Sequence, residues 1–397
     1  MGGAFFLSML TTFLLGNIMT AEEFGDFALL KNFVLIGATF SIFGLDQGSI
    51  RRSIKGIPVI DYKIINIISI LLSVVFAVTM MILYNLSITN FFFLWGIIFC
   101  GGNVLYLASV YRLSNNFAFA QVIHNCWKFL LFIIVYFSFL RNIQIDINHL
   151  YLYLFIAMTS IIIIHYYFKS SVLKCRKSAE SKAKGFSNNV IKDGMILWMI
   201  NVLGLVFAGM DRFIIPAIAD KATLGTYYAM SFIFITGFTV IGSAVGYVLF
   251  PYLTQGKVIA WKKVTFFLTT VIVALLIMLL FGGKYFTALA FNGKYDFALQ
   301  FNIIVPLCFL GILQCAHTII HFYIYAKSSN KVLINYTFYL FIYCIGYYLS
   351  FILLARIIEY SISSIILHIL ILWCLKVIMS IIMSYWISPN KSRLGLA

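Results

Sequence analysis

Two polar stripes interrupt long apolar runs in this 397-residue chain. Gln121, His124 and Lys128 follow an i, i+3, i+7 spacing, which places them on one face of a helix with Asn125 beside it. Gln314, His317 and His321 repeat the pattern, and Lys376 is a further cation deep in an apolar run. Lys128 lies about 16 Å into its run at 1.5 Å per residue, near the middle of a bilayer. A charge there costs about 2.5–3.5 kcal/mol on insertion scales, so it lines a water-filled cavity or finds partners. The stripe therefore predicts a cavity wall; the plainer alternative is a lysine bonded to neighbouring backbone or hydroxyl groups. His317 and His321 are i, i+4 without a carboxylate or third ligand, which falls short of a metal set, so no metal or cofactor is expected. A polar cavity stripe is favoured there, with a histidine proton relay as the lesser option. Pro306 in the same run is expected to bend or break it. Lys31 and Asp46 fall near the ends of the span expected over 27–47, where side chains snorkel, and are set aside. With Lys128 and Lys376 deep and no carboxylate at mid-depth, the expected cargo is an anion such as phosphate or pyrophosphate.

The elements that must position these residues are membrane helices. The chain is 63% hydrophobic and 10% charged, with mean hydropathy +1.02. Soluble domains run near 45–50% apolar and about 25% charged, so a soluble fold is excluded. The apolar runs are long enough to cross about 30 Å of hydrocarbon as helices, and none shows the ten-residue alternation of barrel strands. Expected spans are 2–19, 27–47, 64–84, 91–111, 118–140, 150–168, 190–210, 224–250, 264–282, 299–326, 332–354 and 362–387. The opening run lacks the basic lead-in of a signal peptide and is read as a retained span, a few upstream residues being absent. Six of the seven cysteines lie inside apolar runs, as small apolar side chains.

The net charge of +16 comes from Lys and Arg between the runs, which is a topology signal and not a nucleic-acid footprint. With both termini cytoplasmic, nineteen basic residues fall on inner loops and six on outer ones. The longest loop, 169–189, is basic and divides the chain into a first six-helix lobe (1–168) and a second (190–397). An internal repeat is expected: the turn Thr20 to Phe27 and the turn Asp220 to Tyr227 each run from a polar residue through an apolar one, a Gly and an aromatic, 200 residues apart. Six spans per copy predict two lobes related by a pseudo-twofold axis along the membrane normal. The fold class is thus an all-α polytopic membrane protein of about 12 transmembrane helices. There is no Gly-rich phosphate loop, GxSxG, HExxH or carboxylate pair, so the chain is not read as an enzyme. Outer loops too short for a catalytic domain count against a polysaccharide polymerase, and the missing membrane carboxylate against a cation-coupled drug antiporter. Both remain as alternatives.

The turns also carry a resemblance. Phe24-Gly25-Asp26-Phe27, Gly44-Leu45-Asp46 running to Arg51, and Asp211-Arg212-Phe213-Ile214 followed by Leu224-Gly225-Thr226-Tyr227 resemble the short motifs of Wzx-type oligosaccharide flippases, members of the multidrug/oligosaccharidyl-lipid/polysaccharide exporter superfamily. The resemblance implies two lobes around a cationic cavity that moves an undecaprenyl-pyrophosphate-linked O-antigen or similar unit outward across the bacterial inner membrane. It places Arg51 near the inner mouth, and Asp211 and Arg212 at the outer end of the seventh span. Asn17 stands where the family often has an Arg. Implied partners are the lipid-linked oligosaccharide, membrane lipids, a polysaccharide polymerase and a chain-length regulator.

Overall fold

The computed structural model describes residues 2–46, 62–113, 116–141, 143–180, 188–254, 260–328, 330–357 and 361–387. Among them the regular structure is all helical, with fourteen α-helices and a 3-10 turn at Asp296–Ala298. Nine helices are long and apolar enough to cross a membrane, and eleven spans result if each of two broken pairs counts as one. The twelfth expected span is α1 (Gly2–Ile18), whose described apolar stretch, Phe6–Ile18, is shorter. It ends where Thr20 caps the next helix.

The first compact unit covers Met1–Arg212. It holds α1, α2 (Ala21–Ser41), α3 (Tyr62–Tyr84), α4 (Ile88–Leu113), α5 (Phe117–Leu140), α6 (Ile147–Glu180) and α7 (Asn188–Ala208). Of the segment read as a linker, 169–180 continues α6 and 181–187 lies outside the described residues. α4 is the hub, packing on α2, α3, α5 and α6. Small residues let α2 and α4 approach: a Cβ on Gly101 would stand 2.9 Å from the Ala38 Cβ, and Ser41 Oγ faces Gly102. Such small-residue seams are how membrane helices gain van der Waals contact without a hydrophobic drive between them.

After α2 the chain turns through Phe43 and Gly44 at φ +53° and +64°. A side chain at Gly44 would meet the Gly194 carbonyl and Trp198 of α7. Trp198 in turn donates its indole N–H to the Phe40 carbonyl at 3.0 Å. Further along, the span begun by α7 breaks at Gly209 before α8 (Met210–Ile218). Buried Asn32 of α2 donates its amide to the Gly209 carbonyl at 3.0 Å, and a Cβ on Gly209 would run into that amide. Asp211 and Arg212 sit in the first turn of α8, at this break, and not at the outer end of a continuous span. Apolar helix continues past Gly209 to Ile218, bent by 41° at the break.

The second unit covers Phe213–Ala397. It holds most of α8, then α9 (Lys221–Phe234), α10 (Thr236–Thr254), α11 (Trp261–Phe291), α12 (Phe301–Lys327), α13 (Asn330–Ala355) and α14 (Ile362–Ile387). α9 and α10 together are long and apolar enough for a span and meet at a bend of 52°. Pro306 does not break α12: the helix runs on through it as its sixth residue, forgoing one backbone bond. α12 is the hub here, packing on α10, α14, α9 and α11.

The order of neighbours recurs between the units. α2 packs on α4, α4 on α6, α3 on α4 and α5 on α6; α10 packs on α12, α12 on α14, α11 on α12 and α13 on α14. The two turns that carry the sequence repeat also share one role. Thr20 caps α2, its hydroxyl accepting from Glu23 N at 3.2 Å while Glu23 returns a bond to Thr20 N. Asp220 caps α9, accepting from Thr223 N at 2.6 Å. Phe24, Gly25 and Phe27 are buried, as are Leu224, Gly225 and Tyr227.

Candidate functional site

The capping box starts α2 at Ala21, six residues before the expected span. Lys31, set aside above as near the end of its span, therefore lies about 15 Å along its helix, near the middle of Ala21–Ser41. Its Nζ lies 5.9 Å from the Phe27 ring centroid.

On α5 the stripe holds together. Lys128 Nζ donates to Asn125 Oδ1 at 2.9 Å, and Asn125 donates its amide to the Gln121 carbonyl and Oε1 at 2.9 and 3.2 Å. Gln121 thus fixes Asn125, and Asn125 fixes the lysine. The Trp127 indole N–H donates to the His124 carbonyl at 3.1 Å, and its ring lies 5.6 Å from Lys128 Nζ.

Lys31, His124 and Lys128 all line one cavity of about 270 Å³ inside the first unit. α1 contributes Ser8, Thr11 and Thr12, and apolar residues of α2, α4 and α6 close the rest. Thr11 and Thr12 donate their hydroxyls to the Leu7 and Ser8 carbonyls at 2.8 and 2.9 Å, so the lysines are the cationic donors among the lining residues. Two ammonium groups on one apolar wall repel each other, and a bound anion removes that repulsion. The cavity lies just below the roughly 300–1,000 Å³ of pockets that enclose drug-sized ligands, so it suits a small anionic group and not an oligosaccharide.

The other expected site residues gather in the second unit. Lys376 is 1% exposed, its Nζ 4.6 Å from the Trp373 ring centroid. His317 meets the same indole edge-on at 5.7 Å and lies 5.6 Å from His321. His321 Nδ1 is 3.1 Å from the Tyr336 hydroxyl. Gln314 is half-buried on the same helix, its carbonyl accepting from the Thr318 hydroxyl at 2.8 Å. His317 Nε2 is buried without a hydrogen-bond partner, which costs about 1–3 kcal/mol unless something fills the position. Arg51 lies outside the described residues. Among the described residues no three His, Cys, Asp or Glu side chains come together as a metal-binding group.

Of the residues expected on this face, His124 and Lys128 line the cavity and Gln121 only supports Asn125; Lys31, set aside in the sequence, lines it too, on a helix whose start the Thr20-Ala21-Glu22-Glu23 capping box marks.

A family model described as "Polysaccharide biosynthesis protein" matches residues 2–257. The chain belongs to this family. It is the family of the Wzx-type flippases, which accords with the resemblance carried by the turns. The polysaccharide biosynthesis match takes in the whole lysine cavity and ends after α10, so the Lys376 cluster lies beyond it. No curated protein and no solved structure matches the chain. Membership and fold together make this a multi-pass membrane protein of polysaccharide biosynthesis, and they fit a transporter.

Proposed function

We propose that this protein flips a lipid-linked oligosaccharide, an undecaprenyl-pyrophosphate-linked O-antigen or similar repeat unit, from the cytoplasmic to the outer leaflet of the bacterial inner membrane. Transport runs by alternating access with both termini cytoplasmic. The observation that supports this best is the pairing of Lys31 and Lys128 on one cavity in the first unit. Phosphoryl oxygens are the chemistry that such a pair selects, since each ammonium offers several charge-assisted donors and no acceptor. A cavity of about 270 Å³ would engage the diphosphate and leave the sugars outside. In this reading Asn125 and Gln121 hold Lys128 in place, and Arg51 serves phosphate entry. The polymerase and chain-length regulator act on the product.

The test is complementation of a deletion strain. Loss of the protein should abolish surface polysaccharide and accumulate lipid-linked units inside, and wild type should restore export. Lys31→Met and Lys128→Met each remove a charge-assisted bond of about 1.5–3 kcal/mol, roughly ten- to a hundredfold in affinity. Each should depress export without loss of folded protein. Normal surface polymer in the deletion strain rejects the function. Display of single repeat units there would point to a polymerase. Full export by both variants removes the lysines from the site.

A further inference from the structure

We infer that the lysine cavity also seats the hydrocarbon stem beside the phosphate, so that it takes an alkyl diphosphate by head and stem together and reads the lipid carrier, leaving the sugar unread. The lining changes character along α5. His124 and Lys128 share a face one turn apart, and Leu131 follows on the next turn. His124 Nδ1 is buried without a hydrogen-bond partner, and Lys31 joins this polar part of the lining from α2. Val104 of α4 and Leu154 and Met158 of α6 line the same cavity, the last two one turn apart. With Leu131 they make an apolar wall from three helices, none of the four more than 6% exposed.

A hydrated anion alone fits such a lining poorly, because the wall offers its water no hydrogen bond. A nucleotide sugar has polar groups on both sides of its diphosphate and would press one of them against Leu131, Leu154 and Met158. An alkyl diphosphate satisfies both parts: its phosphoryl oxygens accept from the ammonium groups, and its first carbons displace water from the wall. Met158, unbranched and polarizable, adapts to the outline of a chain. On α2 the lining extends from Phe27 to Thr39, about 18 Å at 1.5 Å per residue, which is longer than a diphosphate. Leu35 lines the cavity and is 51% exposed, so the cavity reaches the surface of the unit there and leaves the rest of a long chain a way out. That the stem is prenyl and belongs to the transported cargo rests on the function proposed above; the seat for a stem does not.

Trp127 lines the cavity and reports on it. Tryptophan emission of the full-length purified protein is titrated with inorganic pyrophosphate, dimethylallyl diphosphate, geranyl diphosphate, UDP-glucose and dihexanoyl phosphatidate, and the Trp127→Phe signal is subtracted. Each methylene moved from water to apolar surroundings is worth about fourfold in affinity, so roughly three seated carbons give about sixtyfold before ordering costs. Geranyl diphosphate should bind at least about tenfold tighter than pyrophosphate, dimethylallyl diphosphate should fall between them, and UDP-glucose should bind no tighter than pyrophosphate. Leu131→Thr and Met158→Gln, on two helices in case one variant does not fold, should bring the ratio of geranyl to inorganic diphosphate toward one. Lys128→Met should weaken every diphosphate and keep the ratio. Equal binding of geranyl and inorganic diphosphate, no Trp127-dependent response, or an unchanged ratio in the folded wall variants overturns the proposal. Phosphatidate binding as tight as that of geranyl diphosphate would give the seat to a membrane phospholipid and overturn the carrier reading. A ratio of one leaves the flippase reading standing, whereas a deletion strain with normal surface polymer rejects that reading and leaves the affinities untouched.

Discussion

Replacing Asn32 by Ala, with Gly209 replaced in parallel, probes the joint that fixes the break between α7 and α8. Asn32 is 1% exposed and its amide donates to the Gly209 carbonyl at 3.0 Å. Truncation loses one bond, while the Gly209 carbonyl keeps the Arg212 N–H at 3.1 Å, so Asn32→Ala should cost about 0.5–1.5 kcal/mol. Gly209→Ala drives a methyl into the same amide, and overpacking of this kind costs about 1–3 kcal/mol. The two losses share one cause. In the double variant the methyl enters the space that the amide vacated, and most of the Gly209→Ala penalty should vanish. A double-mutant cycle on purified protein, read by denaturant or thermal unfolding in detergent, should give a coupling of about 1–3 kcal/mol in the rescuing direction. Strict additivity would refute the reasoning, because it would mean that the glycine and the amide do not compete for the same volume.

Two further outcomes follow from the caps and turns. Gly44→Ala combines a left-handed backbone, φ +64°, with a clash at the Gly194 carbonyl, so it should cost at least about 1–2 kcal/mol in unfolding measurements, and more than Gly3→Ala, whose Cβ meets nothing. Asp220→Ala removes an N-cap worth about 1 kcal/mol at neutral pH. The Thr223 backbone N–H, with the Thr223 side chain, holds the Asp220 carboxyl below its usual range against a small opposing effect of burial. A carboxyl lowered by folding stabilises in full above about pH 4 and loses that contribution as pH falls through its folded-state value. The melting difference between wild type and Asp220→Ala should therefore be largest near neutrality and shrink as the pH falls below the ordinary carboxylate range.

The helical class and most spans were legible because a charge-poor apolar run long enough to cross a bilayer has few other fates. Lys128 was legible for the same reason, since its run is symmetric about it. The place of Lys31 in the middle of α2 was not, because it depends on where α2 begins, and hydropathy fades over the polar first turn that Thr20 and Glu23 cap. The two broken spans were invisible to a hydropathy window: each stays apolar across its break, and what marks the first is a tertiary contact, Asn32 on Gly209, from 177 residues away. The Gly44 turn shows the reverse case. The motif was visible, but its reason, the approach of α7, needed the partner helix. Lys376 was rightly placed as deep, yet depth alone does not say whether a cation faces a cavity or an indole; Trp373 sits three residues away on the same helix, a spacing that put the pair within reach of a sequence argument.

The recurring order of helix neighbours around α4 and α12 means that one plan is stored twice in the chain. Redundant scaffolding relaxes what each copy must contain, because backbone contacts preserve the plan while interior side chains drift apart. The first unit has a hollow reached by two lysines, and the second sets indole, imidazole and phenol near a single one. Two frames with like helix neighbours thus carry unlike interiors, one with a cavity and one with a cluster of rings.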